Sequence, residues 1–285
     1  QFNRAMYYKR SGDLERADRL ARAILKERPE HTRSILLVAN ILLEQGEYDQ
    51  AIDWTEKVQA YDRISLRPAE LQLEIYSRAD NLDRALSVAL QLTQADPLSE
   101  VYLTKLAELY IRSGDAEMTQ IPFRRLQSLW EDSPEKLREL ALMQSRTGNF
   151  MDARITLDSA LELDQNSVPI RMDIIQLDIL SGEYDRASKA VFELEKEQGP
   201  QADFALLRGE IAMARNLPEL AQEQFMESFQ LRRENPDAVR RLYELSLQGI
   251  GEKKFIEALE LALKDSSVPS WVVPLLADSY LLQGN

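Results

Sequence analysis

A glycine-centred segment recurs along this chain at a constant interval. Gly12 and Gly46 stand 34 residues apart, and the same interval leads on to Gly114, Gly148 and Gly182. The segments around these glycines share one pattern: SGDLERA (11–17), QGEYDQA (45–51), TGNFMDA (147–153) and SGEYDRA (181–187). A fixed period of this length is typical of an array in which one supersecondary unit is stacked many times.

The residues between the glycines predict two helices in each period. When each period is numbered so that this glycine is position 15, apolar or small residues recur at positions 4, 7, 8 and 11, as in Ile35, Val38, Ala39 and Leu42. This spacing places them on one face of an amphipathic helix. A second set follows the turn at positions 20, 24 and 27, and nearly all prolines fall between helices or in first turns. Each period is therefore predicted to be a helix, a turn and a second helix.

Small residues occupy two positions of the period. Position 8 holds Ala5, Ala39, Ala107, Ala141, Gly209 and Ala277, and position 20 holds Ala17, Ala51, Ala85, Ala153, Ala187 and Ala221. Helices approach closely only where their side chains are small. We therefore expect these positions to be contacts between helices.

Two periods depart from the pattern. In the fourth, Thr119 replaces the alanine of position 20 and Pro122 falls within the second helix, which predicts a kink or a shifted register. In the eighth, Phe255 stands at position 20, and Ala258 and Ala262 are read as positions 20 and 24 displaced by three residues.

The pattern resembles the tetratricopeptide repeat family. The matching features are Gly at position 15, an aromatic residue or Leu at position 17, Ala at positions 8 and 20, and Pro at position 32 (Pro29 and Pro97). The resemblance implies an all-α fold, a right-handed superhelical solenoid of tandem 34-residue helix-turn-helix repeats. We expect a single solenoid over residues 1–285, with about eight helical hairpins plus a final lone helix, as a fragment of a longer chain.

Composition argues against several classes of function. The chain has no Cys and one His, so neither a histidine-based triad nor a Cys or His metal cluster can be assembled. A net charge of -13 disfavours nucleic acid as a partner, and no apolar run is long enough to insert in a membrane. We therefore expect no enzymatic activity, no cofactor and no metal.

The face opposite the buried stripe of the first helices is the candidate binding surface. Positions 2, 5, 6, 9 and 13 lie there, since successive residues are rotated by about 100°. The family resemblance implies that this concave face binds a partner protein, as a peptide, a helix or a folded domain. The candidate residues are Arg10, Arg33, Asn40, Arg67, Glu70, Arg78, Lys105, Glu108, Arg112, Arg138 and Arg146.

Arginine recurs at position 13, as Arg10, Arg78, Arg112 and Arg146. Stacked repeats would align these guanidinium groups in a row that could hold an acidic partner. The alternative is that they stabilise helix ends, because cations are favoured in the last turn and Glu74–Arg78 and Glu108–Arg112 have the spacing of i, i+4 pairs. Both interpretations stay open from the sequence.

The carboxylate clamp of related co-chaperones needs Lys and Asn at positions 5 and 9. Here these positions hold Phe2 and Met6, then Leu36 and Asn40, then Glu70 and Glu74. A co-chaperone function is therefore disfavoured.

The predicted function is a non-enzymatic protein-interaction scaffold. One alternative is a regulatory or targeting array fused to an enzyme domain elsewhere in the parent chain. Another is a spacer that self-associates through its C-terminal end, where Leu275, Leu281 and Leu282 add apolar surface. Resemblance to bacterial envelope and exopolysaccharide-export arrays favours the periplasm over the cytoplasm.

Overall fold

The computed structural model describes residues 1–233 and 236–264, together with Val273, Pro274, Ala277 and Tyr280. Every regular element within these residues is a helix. The helices are α1 (Phe2–Arg10), α2 (Leu14–Glu27), α3 (Thr32–Glu44), α4 (Tyr48–Gln59), α5 (Arg67–Arg78), α6 (Leu82–Ala95), α7 (Glu100–Ser113), α8 (Gln120–Leu129), α9 (Pro134–Arg146), α10 (Phe150–Leu163), α11 (Val168–Leu180), α12 (Tyr184–Gln198), α13 (Ala202–Ala214), α14 (Pro218–Leu231), α15 (Pro236–Leu247) and α16 (Glu252–Lys264). Of the expected final lone helix only Val273, Pro274, Ala277 and Tyr280 are described, and its three apolar leucines lie outside the described residues.

Consecutive helices pack in pairs, from α1 with α2 to α15 with α16. The chain divides into two compact units: Gln1–Glu131, called the N-terminal unit, and Asp132–Asn285, called the C-terminal unit. Helices α1 to α8 belong to the first unit and α9 to α16 to the second. In each hairpin the odd-numbered helix is the first helix of the repeat. The expectation of one solenoid over the whole chain stays a prediction.

The recurring turn owes its sequence to its backbone. Gly12 at position 15 has a φ of 80°, and two of the three non-glycine residues at this position, Asp80 and Asn216, have φ values of 55° and 59°. This left-handed conformation is open to glycine and is tolerated best by Asn and Asp among the others. In the first repeat the next residue then caps the second helix: Asp13 accepts a hydrogen bond at 3.0 Å from the backbone N–H of Arg16. Position 15 therefore ends one helix and positions the start of the next.

Most of the small residues lie where helices meet, whereas Ala277 at position 8 is exposed. All six position-20 alanines are fully buried, and so are Ala5, Ala39 and Ala107 at position 8. At Gly209 an added Cβ would stand 2.2 Å from the ring of Phe225. A close approach of α13 and α14 therefore requires glycine at this point.

The two irregular periods are accommodated differently. Helix α8 begins at Gln120, six residues after Gly114, whereas α2 begins two residues after Gly12. Pro122 consequently falls in the first turn of α8, where proline is tolerated. In the eighth period, α16 begins in register at Glu252 and Phe255 is buried at position 20. The displacement predicted from Ala258 is therefore wrong, because Phe255 fills the space that alanine takes elsewhere.

Candidate functional site

Three adjoining cavities follow the first helices of the N-terminal unit, and we call them together the first-helix groove. Their volumes are about 430, 280 and 570 Å³. Helices α1, α3, α5 and α7 supply most of the lining, and α6 contributes Leu92. Six of the residues predicted for the binding face line this groove: Arg33, Asn40, Arg67, Glu70, Arg78 and Lys105.

The α1–α3 end of the first-helix groove combines apolar and cationic groups. Phe2, Met6 and Leu36 form part of its floor, and the exposed guanidinium groups of Arg33 and Arg67 stand at its edge. Neither guanidinium has an ion pair or hydrogen bond with another described residue. This end of the groove therefore offers two cations that the fold does not use.

Other polar groups at this end are already engaged. The Lys9 ammonium lies 2.7 Å from a carboxylate oxygen of Glu44 and donates a hydrogen bond of 2.8 Å to Asn40 Oδ1. Because the Asn40 oxygen is held by Lys9, the Asn40 amide nitrogen is the group left to face a ligand. The position-9 asparagine thus has a fixed orientation in the groove.

The α5–α7 end is more evenly charged. Tyr102 donates a hydrogen bond to the Glu70 carboxylate, and burial followed by this bond raises the pKa of Tyr102 to about 12. Glu74 pairs with Arg78 at 2.7 Å, which is the i, i+4 pair expected from the sequence. Lys105 pairs with Glu108 at the same distance. These groups mainly neutralise one another.

The position-13 arginines differ in their surroundings. Arg112 binds Asp80 in the preceding turn at 2.7 Å, so the predicted Glu108–Arg112 pair is wrong, since Lys105 takes Glu108 instead. Arg10 and Arg146 are exposed and have no ion pair among the described residues. Arg10 and Arg112 do not line the first-helix groove, and Arg146 belongs to the C-terminal unit. A binding row at position 13 stays a prediction.

The remaining candidate, Arg138, is held within the C-terminal unit. Its guanidinium donates two hydrogen bonds to Asp173 of the next first helix, the longer of them at 3.3 Å. Two oxygens facing two N–H groups form a bidentate pair, which fixes the geometry of both side chains. Arg138 therefore connects neighbouring repeats.

A second cavity, of about 540 Å³, lies between α12 and α14, and we call it the second-helix groove. Sequence reasoning missed it. Its floor carries Arg208, at position 7 of its repeat, where Val38, Leu106 and Leu140 stand in other repeats. An arginine at a normally apolar position was the signal that could have indicated this site.

A buried carboxylate in the same unit also escaped the sequence reading. Asp178 is 1% exposed, and one of its oxygens accepts hydrogen bonds from Arg154 at 2.6 Å and Arg186 at 2.5 Å. The other oxygen, Oδ2, is buried without a partner in the described part of the chain. The two arginines tie α10 and α12 to α11. We interpret this cluster as structural, because both cations converge on the same oxygen.

The described residues form neither a metal site nor a membrane-spanning helix. No group of three His, Asp or Glu side chains is arranged there to hold a metal ion. None of the described helices has the length and apolar character needed to span a bilayer.

Comparisons with known proteins agree with the fold. A model of the tetratricopeptide repeat family matches residues 2–63. The structure of a tetratricopeptide repeat protein from Parabacteroides merdae superposes with a TM-score of 0.54 at 18% identity, covering 86% of this chain and 97% of that one. The C-terminal part of a repeat-containing protein from Cytophaga hutchinsonii gives a TM-score of 0.60 at 13% identity, covering 85% and 99%. The fold is therefore that of a tetratricopeptide-repeat solenoid.

One curated relative is similar in sequence to part of this chain. Human protein O-mannosyl-transferase TMTC1 is 26% identical over 181 residues, which are 62% of this chain. The match spans only 20% of the length of that relative.

Proposed function

We propose that this chain is a non-enzymatic scaffold that binds a partner protein in the first-helix groove. The observation that carries the proposal is the pair of guanidinium groups, Arg33 and Arg67, without intramolecular partners beside an apolar floor. Pockets that bind ligands generally combine apolar lining with a few polar groups that fix orientation.

The composition of the groove indicates what the bound segment looks like. Arginine forms its strongest contacts with carboxylates, through two parallel hydrogen bonds. Phe2, Met6 and Leu36 offer apolar surface next to both arginines. We therefore propose a partner segment in which one or two acidic residues flank a large apolar side chain.

The test compares the wild-type chain with the double variant Arg33→Glu/Arg67→Glu as bait in affinity capture from the source organism. A partner captured by wild type should bind the variant at least about tenfold more weakly in a follow-up titration, because two attractive contacts become repulsive.

The matched control is Arg84→Glu/Arg124→Glu. Both arginines are exposed on second helices of the same unit, so the change in net charge is identical. If the control weakens binding as much as the groove variant, overall charge and not the groove determines affinity, and the proposal fails.

The second candidate is an array fused to an enzyme domain. It is favoured by the likeness to a much longer protein named as a transferase, of which this chain spans a fifth. In this arrangement the groove would bring a protein substrate to a catalytic domain elsewhere in the parent chain. A full-length sequence separates the two candidates, and a turnover by residues 1–285 that one carboxylate substitution abolishes would contradict both. Assignment to a bacterial secretion or exopolysaccharide-export complex, and to the periplasm, stays a prediction from resemblance.

A further inference from the structure

We infer that the second-helix groove of the C-terminal unit is a separate docking site for an amphipathic helix of a partner protein, with basic residues on one flank. It differs from the first-helix groove in its helices, its unit and the sign of charge it selects. The inference does not depend on the proposed function of the first-helix groove.

The apolar part of the second-helix groove is open to solvent. Phe192 of α12 is 63% exposed, and Leu217 and Leu220 at the start of α14 are nearly half exposed. Val191 and Ile211 lie beneath them. Single exposed apolar residues are ordinary, but three around one cavity form the kind of patch that marks an interaction site.

The floor of this groove is fixed by a polar network. Arg208 of α13 contacts Glu195 of α12, and Gln224 and Glu227 of α14, the last at 2.6 Å. One guanidinium therefore holds both walls and keeps the cavity open. A cavity that exists before binding reduces the ordering cost of association.

The charge of the α14 wall selects the partner. Helix α14 carries Glu219, Glu223 and Glu227 at intervals of four residues and has no Lys or Arg. Residues four apart lie in a row on a helix surface. Glu227 is neutralised by Arg208, whereas Glu219 and Glu223 have no ion pair with any described residue. Glu219 and Glu223 do not line the cavity themselves but directly precede the lining residues Leu220 and Gln224. The second lining cation, Arg215, is paired with Asp185. The acidic row next to this apolar cavity is complementary to lysine or arginine beside an apolar ridge.

The shape of the groove indicates a helical ligand. Its walls are two helices, and every regular element in the described residues is helical. The described residues therefore contain no strand edge to which an extended peptide could add as a further strand. An amphipathic helix lays apolar side chains spaced i, i+3, i+4 and i+7 into such a groove. The basic flank would then face α14.

The experiment uses two fluorescein-labelled peptides of about 18 residues, long enough to form a helix on binding. Both place Leu at i, i+3, i+4 and i+7; one carries Lys along a flank and the other carries Glu at the same positions. Fluorescence anisotropy with the full 285-residue chain measures the affinity of each. We expect the Lys peptide to bind, and Phe192→Ser to weaken its binding by about tenfold or more. Met151→Ser, which changes an exposed apolar residue on α10, should have no effect.

The charge variants test the acidic row. Glu219→Lys/Glu223→Lys should weaken the Lys peptide and strengthen the Glu peptide, whereas the equally charged control Glu139→Lys/Glu162→Lys should do neither. Arg33→Glu/Arg67→Glu should leave Lys-peptide binding unchanged, which separates this site from the first-helix groove.

Three results overturn the inference. The first is Lys-peptide binding that is absent, or insensitive to Phe192→Ser. The second is equal binding of both peptides, which would show that the groove does not select a basic partner. The third is self-association of the chain, measured by sedimentation, that Phe192→Ser abolishes, because the occupant is then a second copy.

Discussion

Two first-helix arginines of the N-terminal unit differ in their contacts from two first-helix arginines of the C-terminal unit. In the N-terminal unit, Arg33 and Arg67 reach solvent without a partner among the described residues. In the C-terminal unit, Arg138 binds Asp173 and Arg241 binds Glu210 of a neighbouring first helix, the latter at 2.6 Å.

The difference follows from the facing helix. Around Arg33 the groove presents apolar residues and a second arginine, whereas the facing helices of the C-terminal unit supply carboxylates. An arginine on the first-helix face therefore stays unpaired or joins two repeats according to its neighbour, and its position in the repeat alone does not decide which.

The largest expected effect tests the structural use of arginine in the C-terminal unit. Asp178→Ala removes a buried carboxylate that two arginines share, and we expect it to lower the free energy of unfolding by about 3 kcal/mol. Urea denaturation followed by circular dichroism measures this change. Asp185→Ala is the control, since Asp185 is a fully exposed partner of Arg215 and its loss should destabilise the protein much less than the loss of Asp178. Equal effects of the two variants would show that the buried cluster contributes nothing specific.

Replacing a paired arginine and an unpaired arginine should give a smaller difference in the free energy of unfolding. Arg138→Ala breaks a half-buried bidentate pair and should lower stability by about 1 kcal/mol, whereas Arg33→Ala should change it by less than about 0.5 kcal/mol. Both are measured by urea denaturation under one set of conditions. If Arg33→Ala lowered the free energy of unfolding as much as Arg138→Ala, Arg33 would also have a structural partner. The contrast between these two arginines would then be wrong.

The smallest effect concerns two tyrosines of the N-terminal unit. Tyr102 donates to Glu70, so its pKa is raised to about 12, whereas hydrogen bonding to Arg4 lowers the pKa of Tyr8. The neutral phenol of Tyr102 is the stabilised form. Its contribution to stability is therefore complete below the ordinary tyrosine pKa of 10.0 and is lost as the pH rises towards 12.

Phenolate absorbance during an alkaline titration measures these values. Tyr102→Phe should remove the last phenol to ionise, Glu70→Gln should shift that ionisation to lower pH, and Tyr8→Phe should remove an early one. An unchanged late phase in Tyr102→Phe would assign it to another tyrosine and contradict the Glu70 contact.

Much of the fold was predictable because the repeat is local. Gly12 and Asp80 occupy the same turn for the same backbone reason, and the position-20 alanines mark contacts within a repeat and with its neighbour. The late start of α8 was harder to predict from the sequence. A proline is tolerated in the first turn of a helix, and the sequence alone does not show that α8 begins at Gln120, just before Pro122. The pairing of Arg112 was mispredicted since the i, i+4 rule considers one helix, and Asp80 lies in the preceding repeat.

The candidate sites also combine features that the sequence predicts with features that depend on contacts between helices. The sequence placed Arg33, Asn40 and Arg67 on one face from helical periodicity alone. It could not identify Arg208 as the support of a groove, because that role depends on Glu195 and Glu227 arriving from two other helices.

The sequence by itself determined the helical repeat, the turn that joins its two helices and the face that each first helix exposes. These properties follow from interactions between residues a few positions apart, which a 34-residue period makes visible. Only the tertiary structure decided which charged groups remain free. Ion pairs between repeats, such as Arg138 with Asp173 and Arg112 with Asp80, join residues about one period apart whose side chains must meet in space. That meeting depends on how each helix is set against the next, and no local pattern in the chain records it.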